Sequence, residues 1–478
     1  EPMTTFQDIA QKGEYFTFQI GLYPHTRALE KVQVTFSQLK SRRHSIPAEQ
    51  LSCFNTGGTD LFGQAFTKTL NVEKQQIQPL WIGLDIPENA RAGVYRGEVT
   101  IKAEDFSATL PIAIQVSNNK ISNHGDDNPE KMSRLRWFNS TLGRDTSFIV
   151  PPFTPVRQEG RTLYILGRSI TIGDNALPEQ IQSFFPQEMT YLSEQPSDIL
   201  SAPMSFEIVP EDGQNENWQN GPISFQQSNR GEIHWQMQGQ SERFIREIDA
   251  TLEYDGTLRY DIRLSAKEKV QLSNTLFRIP WQPDAAKYIL GLGQTGSLRP
   301  KNLDWNWDVN FHHEGLWLGN VNKGLQYVLR DENYVRPLNT NFYQNQPLKL
   351  PSSWGNDGKG GISLRSLADR VQVENYSGAR TMEAGESLVY QIRFLITPFK
   401  TLDTRNHFST RFVHKYVPVD TAIAYGGTVI NVHHANEINP YINYPFYNLD
   451  LQKAYIDEAH SKGVKVKLYN TIREITYK

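Results

Sequence analysis

Two short apolar segments near the C-terminus end in residues that can carry out chemistry. VINV is followed by His433, His434, Asn436 and Glu437. KVKL is followed by Tyr469, Asn470, Arg473 and Glu474. If both segments are parallel strands, their carboxyl ends lie at one edge of the sheet, which is where barrels and open α/β sheets bind ligands. Guanidinium, imidazole and amide groups bind hydroxyls and carboxylates exchange protons, so this set suits a polyhydroxylated substrate.

Glu437 and Glu474 are the predicted catalytic candidates because they are the two carboxylates of this set. Glycoside hydrolysis needs a carboxylate on each side of the scissile bond, and the sequence does not show that these two form such a pair. The other residues of the set are predicted to bind substrate. The alternative is an ion pair between Arg473 and Glu474 on a surface loop, with histidines that are hydrogen-bonded within the fold.

A second cluster of polar and aromatic residues lies in DWNWDVNFHHEGLWLG, residues 304–319. Aromatic rings can cover the apolar face of a sugar, while carboxylates and amides bind its hydroxyls. The predicted sugar-binding residues here are Trp305, Trp307, Asp308, His312 and His313. The alternative is that the rings pack one domain against the next. Adjacent side chains of a strand point to opposite faces, so no metal site is predicted at the two histidines.

The sequence lacks the common cofactor motifs. GLGQTGS, residues 291–297, fits G-x-G-x-x-G, but Pro300 follows without a helical pattern, so a turn between strands is predicted. No P-loop, paired C-x-x-C or G-x-S-x-G motif is present, and no cofactor is predicted. The 49 basic and 52 acidic residues give a net charge of −3, which argues against nucleic acid as a partner. No membrane span is predicted, since no apolar run is long enough.

The strand pattern predicts a mainly β chain with four regions. Residues 1–118 show alternating runs such as KVQVTF and RGEVTIKA between turns, which is typical of an immunoglobulin-like β-sandwich. A polar linker is predicted over residues 119–134. Residues 135–398 contain many strands and almost no helical pattern, and we predict a large antiparallel super-sandwich. Within it, Asp255-Gly256 between ATLEY and LRYDIRLSA predicts a hairpin.

Residues 399–478 are predicted to begin a TIM-like (β/α) barrel. TAIAYGGTVINVHH is a strand candidate, NLDLQKAYIDEAHSKG a helix capped by Asn448 or Asp450, and VKVKLYNTIRE a second strand. The helix is expected to carry one face made of Leu451, Ala454, Tyr455 and Ala459. Strand, helix and strand in this order form a βαβ unit with a parallel sheet. Lys465 and Lys467 interrupt the second strand and are assigned to the barrel interior or to an unfinished sheet edge.

Five segments carry a resemblance to a known family. They are GEYFTFQIGLY, AGVYRGEVTI, RLRWFNSTLG, ILGRSITIGDNALPEQIQSFF and KVKLYNTIREIT. Together they resemble the N-terminal region of glycoside hydrolase family 123 proteins, which are multidomain carbohydrate-active proteins common in Bacteroidetes. The resemblance covers nearly the whole chain. It implies a periplasmic or secreted enzyme of polysaccharide degradation, with an oligosaccharide or polysaccharide as substrate.

The resemblance also implies that a catalytic TIM-like barrel follows the two sandwiches. Its acidic pair is expected at the end of a later barrel strand, beyond Lys478, in a remaining C-terminal part of the same polypeptide. The family's founding activity is hydrolysis of β-linked N-acetylgalactosamine with help from the substrate's own acetamido group. That activity does not transfer residue by residue, so the sugar and the linkage stay open.

Two other functions stay open on the sequence. A non-catalytic glycan-binding or scaffold protein would hold carbohydrate through Trp305, Trp307 and Trp317. A polysaccharide lyase would use His312 or His313 with a tyrosine as base and acid, since large sandwiches also host β-elimination. The first function predicts glycan retention that depends on the tryptophans, and the second predicts an unsaturated product that absorbs ultraviolet light.

Overall fold

The computed structural model describes residues 4–60, 63–104, 106–126, 136–139, 147–227, 229–311, 313–336, 348–443 and 447–471. By its internal contacts the chain divides into two compact units, Glu1–Asp145 with His434–Ala454 and Thr146–His433 with Tyr455–Lys478. The described residues lie mainly in β-strands, which confirms the predicted fold class. None of the helices in these ranges is long and apolar enough to cross a membrane.

The first unit contains a β-sandwich. Its strands are β1 (Phe6–Lys12), β2 (Tyr15–Leu22), β3 (Leu29–Phe36), β4 (Leu39–Ser41), β5 (His44–Ile46), β6 (Leu51–Cys53), β7 (Gly57–Thr59), β8 (Ala65–Thr67), β9 (Leu70–Val72), β10 (Gln78–Asp85), β11 (Gly93–Ala103) and β12 (Phe106–Lys120). Short 3₁₀ helices lie at Ala48–Gln50, Asn123–Gly125 and Arg136–Asn139. One sheet has the order β1-β12-β11-β3-β9 with β4 and β5 beside it, and the other has the order β2-β10-β6. Residues of both sheets, such as Ile82 and Val99, are fully buried in one core.

The second unit contains most of the remaining strands. They are β13 (Arg157–Glu159), β14 (Thr162–Ile165), β15 (Arg168–Ile172), β16 (Pro178–Ser183), β17 (Ser197–Asp198), β18 (Ser205–Pro210), β19 (Gln219–Asn220), β20 (Ser224–Gln226), β21 (Glu232–Gln240), β22 (Phe244–Glu253), β23 (Thr257–Ala266), β24 (Val270–Trp281), β25 (Tyr288–Gly291), β26 (Gln294–Leu298), β27 (Asn302–Asn306), β28 (Leu316–Asn320), β29 (Lys323–Arg330), β30 (Gly361–Ser366), β31 (Val371–Tyr376), β32 (Arg380–Met382) and β33 (Ser387–Thr397). Helix α1 (Ser352–Gly355) and a 3₁₀ helix at Asn356–Gly358 interrupt them.

Two large antiparallel sheets pack together in this unit and form the super-sandwich. The ten-stranded sheet has the order β19-β21-β22-β23-β33-β29-β28-β25-β26, with β20 beside β21. The six-stranded sheet has the order β18-β24-β31-β30-β27, with β32 beside β24. Aromatic rings of the two sheets contact each other. The ring centroids of Phe277 in β24 and Phe394 in β33 are 6.2 Å apart. Those of Phe206 in β18 and Tyr390 in β33 are 5.2 Å apart. A five-stranded sheet, β13-β14-β15-β16-β17, shares the same hydrophobic core.

Two predicted turns are confirmed. Between β22 and β23, Gly256 adopts a φ of +100° and the backbone N–H of Thr257 donates to Oδ1 of Asp255 at 2.8 Å. Between β25 and β26, Gly291 and Gly293 adopt φ values of +99° and +79° in a tight antiparallel hairpin. Left-handed backbone of this kind favours glycine. The G-x-G-x-x-G match is therefore a turn between strands, as predicted.

Arg168 forms hydrogen bonds with backbone carbonyls close to the point where the chain leaves the super-sandwich. Its side chain is fully buried and donates from Nε to the carbonyl of Leu166 at 3.0 Å. Its two terminal nitrogens donate to the carbonyls of Asp255 at 2.9 Å, Ile396 at 2.6 Å and Phe399 at 3.2 Å. Burial lowers the pKa of Arg168 to about 10. This one side chain thus ties β15, the β22–β23 hairpin and the end of β33 together.

After β33 the chain forms alternating helices and strands. They are α2 (Thr404–Ser409), β34 (Phe412–Val413), α3 (Val419–Ala424), β35 (Val429–Val432), α4 (Leu449–Ser461) and β36 (Lys465–Leu468). The three strands pair in parallel in the order β34-β35-β36, with Val432 opposite Leu468. The predicted βαβ unit is confirmed by this pairing. In the described sheet β36 is an edge strand, and Lys465 and Lys467 are exposed on it.

The strand candidate TAIAYGGTVINVHH was partly wrong. Its first half is helical, because α3 begins after Pro418 and has Asp420 in its first turn, where a negative charge is favoured. Gly426, with a φ of +74°, follows the helix and reverses the chain. Only the four residues of VINV form the strand, and all four are buried. A mostly apolar segment of this length does not distinguish a strand from a buried helical turn.

The buried face of α4 also differs from the prediction. Tyr455 and Ala459 are buried as predicted, but Leu451 is 45% exposed and Ala454 is exposed. Gln452 is buried instead, and its Nε2 donates to the carbonyl of Ile438 at 2.9 Å. A pattern of apolar residues alone does not reveal a buried amide that is held by a backbone acceptor.

Candidate functional site

The carboxyl ends of the three parallel strands bring three ring side chains together. His414 follows β34 directly, His433 follows β35 and Tyr469 follows β36. The rings of His433 and Tyr469 are stacked, with centroids 4.3 Å apart and planes at 20°. The rings of His414 and His433 lie 5.7 Å apart with planes at 64°. This edge of a parallel sheet is where such folds bind ligands.

Asn431 supports these rings from within β35. The residue is 5% exposed, and its amide nitrogen lies 2.5 Å from Nδ1 of His414. With the amide oriented in this way, its N–H donates to an unprotonated Nδ1, so a neutral His414 carries its proton on Nε2. The contact with Asn431 thereby holds the imidazole of His414 in orientation. We call His414, Asn431, His433 and Tyr469 the strand-end rim.

The sequence prediction of this rim included His433 and Tyr469 but missed His414 and Asn431. His414 follows a strand of two residues, Phe412–Val413, which is too short to produce a recognisable pattern. Asn431 did leave a signal, because it is the polar residue of the otherwise apolar segment VINV. A polar side chain in a fully buried strand needs a hydrogen-bond partner, and here His414 at the end of the neighbouring strand provides it.

The structure describes only some of the residues predicted to follow the second strand. Asn470 comes directly after Tyr469 and is exposed. His433 and Tyr469 are half-buried, which leaves part of each ring accessible to a ligand. Arg473 and Glu474 lie outside the described residues, so their predicted binding and catalytic roles, and the alternative of an ion pair, stay predictions.

The loop after His433 belongs to the first compact unit. Oδ1 of Asn436 accepts hydrogen bonds from the backbone N–H groups of Ile438 at 3.2 Å and Asn439 at 3.0 Å, as in an Asx turn. Glu437 is exposed. Its carbonyl accepts a hydrogen bond from Nδ2 of Asn448 at 2.6 Å, while His434 is half-buried. The amide oxygen of Asn436 therefore shapes the loop, and the exposed carboxylate of Glu437 keeps its predicted role as a proposal.

Trp305 and Trp307 lie in the core of the super-sandwich. They are 8% and 7% exposed, and their rings pack edge to face with centroids 4.9 Å apart. Nε1 of Trp305 donates to Nδ1 of His313 at 3.3 Å. Rings that are this deeply buried present no face to a sugar. Their burial therefore argues against the predicted sugar surface, and they pack within the super-sandwich core, whereas the alternative expected them to pack one domain against the next.

Among the other polar residues of this segment, Asp308 and Asn310 form hydrogen bonds with each other. Oδ1 of Asp308 accepts hydrogen bonds from the backbone N–H of Asn310 at 2.8 Å and from its Nδ2 at 3.0 Å. His313 is half-buried, and His312 lies outside the described residues. Within the described ranges no group of three or more His, Cys, Asp or Glu side chains is arranged to hold a metal ion.

Glu314 is a buried carboxylate within this segment. Its side chain is 0% exposed, and Oε1 accepts hydrogen bonds from the hydroxyl of Tyr334 at 2.5 Å and from Arg336 at 3.1 Å. Burial and the bond to Glu314 raise the pKa of Tyr334 far above its ordinary value. The carboxylate is thus paired with a cation and held by a hydroxyl, which is how a buried charge is tolerated.

Three family models match the chain. The model for the third domain of glycoside hydrolase 123 matches residues 156–398, which is more than half of the 478 residues. The model for the glycoside hydrolase 123 TIM-barrel domain matches residues 403–478, which include the strand-end rim. The model for the glycoside hydrolase 123 N-terminal domain matches residues 56–103.

Solved structures give weaker likenesses. A family 123 glycoside hydrolase from Clostridium perfringens is 21% identical over 24% of this chain and 23% of that one, with a TM-score of 0.21. The heparan sulfate lyase HepC from Pedobacter heparinus is 7% identical over 50% and 34%, with a TM-score of 0.24. A GalM/aldose epimerase homologue from C. elegans is 7% identical over 51% and 98%, with a TM-score of 0.27. The chain thus spans about a quarter of the first of these structures. No curated protein matches the sequence.

Proposed function

Because the chain belongs to the glycoside hydrolase 123 family, we propose that it acts in the hydrolysis of glycosidic bonds in a complex glycan. The observation that carries the proposal is the strand-end rim, where His414, His433 and Tyr469 follow three adjacent parallel strands. Imidazole nitrogens and a phenol hydroxyl there can exchange hydrogen bonds with sugar hydroxyls. The stacked rings offer the kind of surface that a pyranose covers with its apolar face.

Each rim residue has a proposed role in this reaction. His433 and Tyr469 contact the sugar, and His414 donates from Nε2 to one of its hydroxyls. Asn431 is a positioning residue, because it holds Nδ1 of His414 and reaches no ligand itself. His434, Asn436, Asn470 and Arg473 are proposed as further substrate contacts.

The proton transfers of glycoside hydrolysis require carboxylates. Glu437 and Glu474 are the proposed candidates, one to protonate the leaving oxygen and one to act as base or nucleophile. The family resemblance supports a further proposal, namely that a C-terminal part of the same polypeptide completes the acidic pair. The chain's own carboxylates would then bind substrate hydroxyls at the rim.

Two broader proposals accompany this function. The chain is divided into a sandwich at residues 1–118, a linker at 119–134, a super-sandwich at 135–398 and a barrel beginning at 399–478. The family-model matches to residues 156–398 and 403–478 support a boundary close to residue 400. A periplasmic or secreted location is proposed because the polysaccharides that such enzymes degrade lie outside the cytoplasm.

Hydrolysis of a panel of neutral 4-nitrophenyl glycosides tests the proposal. Release of nitrophenol is expected from at least one glycoside, with kcat lowered about 10²- to 10⁴-fold by substitution of an essential carboxylate, Glu437→Gln or Glu474→Gln. His433→Ala is expected to lower kcat/KM about tenfold or more, whereas His407→Ala, in the exposed helix α2, is expected to change nothing. Absence of cleavage across the panel by the complete polypeptide, including the proposed C-terminal part, with Glu474→Gln equal to the unaltered protein, would remove the hydrolase proposal.

A further inference from the structure

The outer face of the ten-stranded sheet contains a groove that no part of the proposed reaction uses. Its volume is about 800 Å³, and its floor is formed by β21, β22, β23 and β33, which run side by side. Along each strand alternate residues point into the core, as Ile248 and Ile262 do, and the residues between them face the groove. The floor is half-buried at Asp249 and Asp261, and the groove is partly open to solvent.

The strand register sets a row of hydrogen-bonding side chains across this floor. Gln236 lies opposite Asp249, Asp249 lies opposite Asp261, and Asp261 lies opposite Gln391. Neighbouring strands are about 4.8 Å apart, so the row offers an amide or a carboxylate at that repeat over four strands. One pyranose unit of an extended oligosaccharide has a similar length. Successive sugar rings that lie across the strands would each meet one of these side chains.

The two carboxylates in the middle of the row are oriented and yet accessible. Asp249 is held by Nε2 of His234 at 3.0 Å and by Nε2 of Gln236 at 2.7 Å. Asp261 lies 2.6 Å from a guanidinium nitrogen of Arg393. Both side chains remain 49% and 45% exposed, respectively. Like charges directly opposite each other destabilise a sheet, and the contacts of Asp249 with His234 and of Asp261 with Arg393 offset this repulsion. Both carboxylates nevertheless stay accessible to a ligand with several hydroxyls.

The charge of the groove restricts the ligand. Its lining contains the four carboxylates of Glu247, Asp249, Asp261 and Glu332 and the guanidinium of Arg263, and Arg393 pairs with Asp261, so negative charge stays in excess. Such a surface repels uronate and sulfate groups. Among the described residues that line the groove there is no aromatic ring, so recognition depends on hydrogen bonds and not on stacking. Hydroxyl groups, which both donate and accept, fit a mixture of amides and carboxylates.

We propose that this groove is a second glycan-binding site, which holds an uncharged oligosaccharide in an extended conformation across β21, β22, β23 and β33. The site binds and does not cleave. It would keep a polymeric substrate on the protein between hydrolytic events at the strand-end rim. The proposal concerns residues distinct from the rim, and it rests on the proposed function only in taking a glycan as the ligand.

Binding of neutral hexasaccharides to the 478-residue chain tests this proposal. Isothermal titration with cello-, malto-, chito- and galacto-hexaose is expected to give binding of at least one of them, and none of polygalacturonate or heparan sulfate. Each lost hydrogen bond weakens binding by about three- to tenfold, so Gln391→Ala and Asp261→Ala are each expected to do so. Gln326→Ala is the matched control, because Gln326 is exposed on the neighbouring strand β29 and lies outside the groove.

Three results would overturn the groove as a binding site. They are no binding of any neutral hexasaccharide, tighter binding of the anionic polymers, and equal loss of affinity in Gln391→Ala and Gln326→Ala. Circular dichroism of each variant excludes unfolding as the cause of lost affinity. Failure of the groove is distinguishable from failure of the hydrolase proposal. If the protein cleaves a glycoside and Gln391→Ala binds hexasaccharides as well as the unaltered protein does, only the groove proposal is refuted. If the protein binds hexasaccharides through Gln391 but cleaves no glycoside, only the hydrolase proposal is refuted.

Discussion

Replacement of Arg168 by methionine is predicted to destabilise the super-sandwich by about 3 kcal/mol. Arg168 donates four hydrogen bonds to carbonyl oxygens. Hydrogen bonds from a charged donor contribute at least about 1.5 kcal/mol each, or about 6 kcal/mol together. Burial acts in the opposite direction, because it lowers the pKa of Arg168 from 12.5 to about 10. That change corresponds to about 3 kcal/mol of unfavourable desolvation, and the difference between the two figures is the predicted loss.

Thermal unfolding followed by circular dichroism measures this loss. In a domain of about 250 residues, 1 kcal/mol shifts Tm by about 2–4 °C, so Arg168→Met is expected to lower the super-sandwich transition by about 6–12 °C. Arg168→Lys is expected to lie in between, because an ammonium group cannot reach four diverging carbonyls. Arg161→Met is the matched control, since Arg161 is 50% exposed and pairs with Asp174 at the surface. A transition of Arg168→Met within 2 °C of that of Arg161→Met would refute the reasoning.

Two further perturbations have expected outcomes. Gly291→Ala is expected to destabilise the β25–β26 hairpin by about 2 kcal/mol or more in urea unfolding, since the φ is +99° and a Cβ would lie 1.8 Å from the carbonyl oxygen of Gly315. Gly213→Ala is the control, because Gly213 has a φ of +73° but open space around it, and this variant is expected to lose only about 1 kcal/mol of stability. Equal losses in the two variants would show that the short distance to the Gly315 carbonyl does not matter. Burial raises the pKa of Tyr260 well above its ordinary value, so its contribution to stability is present below about pH 10 and is lost as the pH rises further. Above pH 10 the free energy of unfolding is therefore expected to fall less steeply in Tyr260→Phe than in the unaltered protein, by about 1.4 kcal/mol per pH unit. Identical slopes in urea unfolding would argue against this contribution of Tyr260.

Features that depend on neighbouring residues in the sequence could be predicted. The Asp255-Gly256 hairpin required only the strong turn preference of these two residues between alternating segments. The glycine-rich turn at Gly291 was distinguished from a nucleotide-binding loop because no helical pattern follows it. The polar end of VINV correctly placed His433 at the edge of a parallel sheet, since a short buried strand must end where polar side chains begin.

Features that depend on contacts distant in sequence could not be predicted. Asn431 and His414 are 17 residues apart and meet only because β34 and β35 pair in parallel. The burial of Trp305 likewise depends on the sheets that cover it, and an aromatic residue in a polar segment suits a ligand surface as well as a core. The groove row joins Gln236 to Gln391 across four strands, and only the register of every intervening pair sets it.

The edges of the described parallel sheet have a consequence for the behaviour of the protein in concentrated solution. An open strand edge is a template onto which a strand of another molecule can add. At one edge β34 is only two residues long, and at the other β36 carries the exposed Lys465 and Lys467. Very short edge strands and charged lysines both weaken pairing between molecules. Where no further strand of the same polypeptide covers these edges, the short β34 and the two lysines of β36 would weaken pairing with a strand of another molecule.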